Sequence, residues 1–185
     1  LLSMRKIVED ILYLSRFPEG GKLWRIDAAK LLRQKLEGHR AAMDEKELCV
    51  ELSGEEELML WADEVMMGRI LDNLLSNAVK YTREGGRIEI ALICREGDWE
   101  IRVENFGARI PEELLPHYEP FVSGDTEDGD ALRGMRSHGL GLYLASLDAK
   151  KMGVELEVSN KDDSVLTRIF RKREQDSSDL HQKFT

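Results

Sequence analysis

Residues 69–82 read RILDNLLSNAVKYT, and two amides, Asn73 and Asn77, stand four positions apart in an otherwise apolar helical pattern. Residues four apart share one helix face, one turn from each other. Val65, Met66, Ile70, Leu71, Leu74, Leu75, Ala78 and Val79 form a wide apolar stripe that such a helix must bury. The pattern predicts a core helix whose two amides flank the packed face and point towards something polar. Asp63 is placed to cap its start, and the glycine turn REGGR at 83–87 stops it after Tyr81.

Working outward, a second helix is expected from an Asp27 cap to about Met43, followed by strands at 47–52 and 58–62. Beyond the amide helix, RIEIALIC (87–94) and WEIRVEN (99–105) alternate apolar and polar residues around REGD, a hairpin signal. Helical periodicity returns in HGLGLYLASLDAKKMG (138–153), and VELEVSN (154–160) with SVLTRIFRK (164–172) closes the chain as a second hairpin. Between them, 111–137 holds proline and glycine breaks and an acidic run; so long a weakly patterned segment in a compact domain is usually functional. At the other end, LLSMRKIVEDILYLSR (1–16) has the three-four apolar spacing of a helix–helix seam, set off by the FPEGG hinge at 17–21. That seam has no partner in this sequence, so the chain reads as a piece of something larger that is monomeric or weakly associating alone. The tail 173–185 is polar and expected to fray.

Composition narrows the classes. A chain of 185 residues, 42% hydrophobic and 34% charged, supports one globular unit with appendages. The net charge of −9 argues against nucleic-acid binding, which needs a basic face, so a polyanionic ligand must be met by a local cluster. Cys49 and Cys94 lie in strand-like apolar runs without metal-type spacing and are expected to be buried, reduced thiols of a cytoplasmic protein. No membrane-spanning run or signal peptide is present, and no direct membrane contact is expected.

Three features point to one ligand. Asn73 and Asn77 offer amide oxygens to a hard cation, Lys80 an ammonium for phosphate, and Tyr81 an aromatic face for a base. In VENFGARIP (103–111), Asn105 ends a strand, where its amide can read an adenine amino group, and Gly107 allows close backbone approach. In SHGLGLYLA (137–145), Gly139 and Gly141 open a helix whose first N–H groups and dipole favour phosphate, with Arg133 and Arg136 just upstream. Each alone has an ordinary explanation: surface amides on a core helix, a plain turn after a strand, arginines that keep an acidic loop soluble, and His138 as a cap or packing residue.

In this order, the residues resemble the catalytic ATP-binding domain of the sensor histidine kinases, within the GHKL ATPase superfamily. NLLSNAVKYT resembles the N box, NFGARIP the first glycine box, EPF (119–121) the F box and SHGLGL the second glycine box. The resemblance covers about 22–172; ILYLSR at the end of 1–16 is similar to the last turns of the preceding dimerisation helix. It implies an α/β two-layer sandwich, a mixed, mostly antiparallel sheet on three helices (the Bergerat-type ATP-binding fold). The domain would span 27–172 after a linker at 17–26, with a lid at about 112–137 anchored by Phe121. The implied ligands are ATP and Mg²⁺. Asn77 would hold Mg²⁺ and Asn73 support metal and phosphates, with Lys80 on phosphate, Tyr81 and Asn105 at the adenine, and Arg133 and Arg136 neutralising charge. Gly107, Ile110, Phe121, His138, Gly139, Leu140, Gly141 and Leu142 would complete the nucleotide contacts. The implied reaction passes the γ-phosphoryl group to a histidine on the dimerisation domain and then to a response-regulator aspartate, in a homodimeric, membrane-anchored parent.

Departures matter too. His39, His117, His138 and His181 all lack the His-acidic helical context of the phosphoacceptor, so this chain alone is not expected to autophosphorylate. Asn105 stands where the family commonly has aspartate, which should weaken ATP binding by about 1 kcal/mol. Arg109 and Ser137 replace customary glycines. The alternatives are a non-catalytic pseudokinase or adaptor, or another GHKL ATPase or serine kinase.

Overall fold

The computed structural model describes residues 22–107, 109–110 and 141–171, together with Leu12. The expectations for the seam at 1–16 other than Leu12, the lid at 112–137 and the tail at 173–185 lie outside the described residues. Strand β1 (Trp24–Asp27) leads into helix α1 (Ala28–Glu45), β2 (Cys49–Gly54), β3 (Met59–Ala62) and helix α2 (Glu64–Tyr81). Then come β4 (Arg87–Arg95), β5 (Asp98–Phe106), helix α3 (Gly141–Met152), β6 (Glu155–Asn160) and β7 (Ser164–Arg171).

Local chemistry sets the element ends. Asp27 caps α1, its carboxylate accepting from the N–H groups of Ala29 and Lys30 and also from Leu58 N–H at 3.1 Å, so one side chain fixes both α1 and the entry to β3. Burial alone would raise the pKa of this carboxyl, but the donations from Leu58, Lys30 and Ala29 bring it below the usual value. Asp63 caps α2 through Met66 N–H. The β4–β5 hairpin turns through Glu96 (φ 54°) and Gly97 (φ 94°), the paired left-handed residues of a two-residue turn whose twist matches the strands.

The main sheet runs in the order β2-β4-β5-β7-β6, antiparallel except for β2 alongside β4, which is parallel. The three helices cover one face, and Met67, Ile70, Leu71, Leu74 and Leu75 of α2 pack with Ile88, Ile90, Leu92, Ile101 and Val103 in a single core. The other face is charged: Arg102 pairs with Glu100 at 2.7 Å, and Arg87 lies over the Phe106 ring at 4.0 Å. Between the helices, burial favours the neutral form of Asp72, but the contacts from His39 (3.5 Å) and Lys35 (2.6 Å) of α1 outweigh it and lower its pKa.

Four expectations change. Trp24–Ile26, at the end of the stretch read as linker, belong with Asp27 to a strand that pairs with β3 in a two-stranded ribbon. Cys49 and Cys94 are exposed, not buried. Cys49 opens the edge strand beside Arg87, on the charged face, and Cys94 lies beyond Leu92, where helix cover ends at the hairpin tip. Val65 is 74% exposed in the first turn of α2 and drops out of the apolar stripe. Asn73 does not flank the packed face: it is only 5% exposed and lies within it.

Candidate functional site

The burial of Asn73 has a specific cause. Gly141 is the first described residue of α3, and a Cβ built there would come within 3.1 Å of Asn73 Oδ1 and 3.5 Å of its Cγ. Gly141 therefore lets α3 come close to the amide, and the first and last of the three sequence features meet across nearly 70 residues of chain. One turn on, Asn77 is half-buried. Among the described residues, neither amide makes a side-chain hydrogen bond, so both keep their capacity for a ligand.

Further along α2, Lys80 is buried, its ammonium 3.3 Å from the Tyr81 hydroxyl and 4.7 Å from the centre of that ring. Seven residues of helix separate Asn73 from Lys80, about 10 Å of rise, comparable to an extended triphosphate with its ribose. Past the helix end, Arg83 folds over Gly107: a Cβ on that glycine would stand 3.3 Å from Arg83 Nε. Gly107 also needs its left-handed φ of 74° to turn out of β5, where its N–H donates to Asp163 O at 2.9 Å. Arg83 is thus a close neighbour of Gly107 within this chain. Asn105 is 6% exposed on β5, between Ile88 and Val165 of the neighbouring strands.

Two contributors were missed in the sequence. Asn160, at the end of β6, forms a paired contact with Ile110: its Oδ1 accepts from Ile110 N–H at 3.0 Å and its Nδ2 donates to Ile110 O at 2.7 Å. It fixes the backbone within the first glycine box, at Ile110, and a single asparagine 50 residues away gives no local signal of this. The second is Arg83, which reads as part of a glycine turn. Leu142 is half-buried in the first turn of α3. Phe121, Arg133, Arg136, His138, Gly139 and Leu140 lie outside the described residues.

An ion pair ties the helices that carry the amides and Gly141. Asp148 on α3 is fully buried and lies 2.8 Å from Arg69 Nε on α2, set off the axis of a hydrogen bond between those two atoms. It sits two turns beyond Gly141 on α3, so the pair holds that part of the helix against Asn73.

Residues 62–176 match the family described as Histidine kinase-, DNA gyrase B-, and HSP90-like ATPase. The chain belongs to this family. The chain is 31% identical over 161 residues to the sensor histidine kinase YkoH of Bacillus subtilis (strain 168), covering 85% of this chain and 34% of that protein. It is 28% identical over 159 residues to the sensor histidine kinase HprS of Escherichia coli (strain K12), covering 83% and 33% respectively. The chain thus spans about a third of the length of these relatives. Among solved structures, full-length ShkA in complex with AMPPNP superposes with a TM-score of 0.74 at 24% identity, covering 89% of this chain and 35% of that one. Histidine kinase ThkA in complex with the response regulator TrrA gives 0.73 at 21% identity, covering 90% and 46%. These likenesses match the expected fold, three helices on a mixed, mostly antiparallel sheet, in an ATPase domain of the sensor histidine kinase kind.

Amide oxygens at Asn73 and Asn77 suit a hard cation such as Mg²⁺. They are neutral, so an ion held there would keep charge for phosphate oxygens. Among the described residues no cluster of three or more His, Cys, Asp or Glu could hold a metal instead. No described helix is long and apolar enough to cross a membrane.

Proposed function

We propose that this chain is the ATP-binding catalytic part of a sensor histidine kinase, donating the γ-phosphoryl group of ATP to a histidine on a dimerisation domain. The observation that carries it is the contact of Gly141 with Asn73, which joins the second glycine box to the N box. Asn73 steadies the phosphates, Asn77 and Asn73 would hold Mg²⁺, and Lys80 meets phosphate. Tyr81 packs by the adenine, Asn105 accepts from its amino group, and Gly107, Ile110, Gly141 and Leu142 form the backbone cradle. Phe121, Arg133, Arg136, His138, Gly139 and Leu140 complete the site from the lid side. When bound, Mg²⁺ supplies neutralisation of triphosphate charge.

In the transfer, an imidazole nitrogen of the acceptor forms a bond to γ-phosphorus as the bond to the β,γ-bridging oxygen breaks. ADP leaves, and the imidazole loses its proton. This loose displacement is governed by positioning and electrostatics, which accords with a site of amides, an ammonium and helix N–H groups. The phosphoryl group then passes to a response-regulator aspartate. The chain works on the cytoplasmic side of a homodimeric, membrane-anchored parent, which supplies the acceptor histidine.

Calorimetric titration with a non-hydrolysable ATP analogue, with and without Mg²⁺, tests the nucleotide site. Binding that requires Mg²⁺ and is lost in Asn77→Ala is expected. Folded wild-type protein that binds no nucleotide would overturn the proposal in favour of an adaptor. Incubation with γ-labelled ATP and a separately supplied dimerisation domain should label that domain, with an acid-labile bond, and not this chain.

A further inference from the structure

Lys46 lies just past the end of α1, outside every motif that drew attention in the sequence. Its ammonium reaches the far end of α2 and donates to the carbonyl oxygens of Val79 (2.7 Å), Lys80 (3.1 Å) and Thr82. Carbonyls in the last turn of a helix have no partner within the helix, and that end of the dipole attracts a cation. A lysine ammonium has three protons, and here each faces one acceptor. The same residue's N–H donates to Ala42 O at the end of α1, and its own carbonyl accepts from Gly85 N–H at 2.8 Å. One residue thereby joins the end of α1, the end of α2 and the turn from which Arg83 reaches over Gly107.

We infer that Lys46 is a positioning residue for the nucleotide, holding the backbone of the turn that carries Lys80 and Tyr81 and so fixing where their side chains meet it. The inference rests on the ATP site proposed above. The bond to the Lys80 carbonyl is direct; the side chain it steadies is the buried ammonium packed on Tyr81. Without Lys46 the three carbonyls turn to water and the last turn opens. Nucleotide must then re-order Lys80 and Tyr81 on binding, and affinity falls by that cost. The Asn73–Gly141 end of the site, two turns away, keeps its geometry, so Mg²⁺ dependence persists.

The test is a titration of wild type, Lys46→Met, Lys46→Arg, Lys80→Met and the double variant Lys46→Met/Lys80→Met with the ATP analogue and Mg²⁺. It is run at a temperature where circular dichroism shows each protein folded. Lys46→Met should weaken binding roughly tenfold, the scale of one charge-assisted hydrogen bond. Lys46→Arg should recover most of that loss, and the double variant should lose clearly less than the sum of the two single losses, because Lys46 acts partly through Lys80. If Lys46→Met does not fold, Lys46→Gln, with two amide protons, is judged by the same criteria. Unchanged affinity in the folded variant, or losses that simply add in the double variant, would overturn the inference while leaving the ATP site standing. Failure of the wild type to bind would remove both.

Discussion

At the scale of single residues, Asn105 and Gly141 pull stability and binding apart. Asn105 is 6% exposed, so a carboxylate there is partly desolvated in the free protein and costs about 1–3 kcal/mol. With adenine bound, the same carboxylate accepts a hydrogen bond stronger than an amide gives. Asn105→Asp is therefore expected to lower the melting temperature without ligand and to tighten ATP by roughly fivefold, about 1 kcal/mol. Weaker or unchanged affinity by calorimetry would show that the amide already serves as well. Gly141→Ala runs the opposite way: alanine favours the helix by about 1 kcal/mol, but its Cβ meets Asn73 Oδ1 at 3.1 Å and must displace it. Stability is expected to hold or rise while nucleotide affinity drops about tenfold. Affinity equal to wild type would mean that the Asn73 amide is not a ligand-facing group. The cysteines make a simpler residue-scale case: Cys49 and Cys94 are exposed, so both thiols of the native protein should react promptly with a disulfide reagent, without denaturant.

At the scale of elements, what the sequence made legible were the signals that act over a few residues. Asp27 and Asp63 cap the helices they were expected to cap, and the hairpin through Glu96 and Gly97 joins β4 to β5 in the expected place. What it hid were pairings between distant segments. Residues 47–52 and 58–62 are neighbours in the chain, yet β2 lies parallel to β4 and β3 pairs with β1. A parallel pair needs a crossover, here through β3 and α2, and no local pattern records it. Asp27 links the two kinds of information, because it caps α1 and also receives Leu58 N–H from the start of the β3 segment. Asp27→Ala should cost about 1–2 kcal/mol in urea unfolding at neutral pH. The pKa of Asp27 is lowered by folding, so its contribution is fully present above the unfolded pKa of about 3.9 and is lost as pH falls through the lower folded value. Asp27→Asn, which cannot titrate, should accordingly show a flatter loss of stability below about pH 4 than the wild type. Parallel acid limbs for the two proteins would place the titration elsewhere.

At the scale of the whole molecule, the candidate site belongs to no single segment. The motifs were readable one by one, but that Asn73 lies inside the packed face, against Gly141 of α3, depends on how two helices meet after a long intervening stretch. Arg69 and Asp148 hold that meeting, with Asp148 fully buried. Removing one partner of such a pair leaves a buried charge, a loss of about 3–5 kcal/mol, whereas replacing both with apolar groups of similar size is often nearly neutral. Arg69→Met leaves the fully buried Asp148 carboxylate without its guanidinium and is expected to cause a destabilisation of that order and, in whatever fraction stays folded, to weaken nucleotide binding, because α3 loses its fixed contact with Asn73. The double variant Arg69→Met/Asp148→Leu should recover most of the stability while its affinity reports on placement alone. If affinity in the double variant matches the wild type, packing suffices to seat Gly141 on Asn73. If stability returns but affinity does not, the ion pair sets the separation of the helices to a tolerance that the core alone does not enforce, and the fold holds this charge pair for the site's geometry.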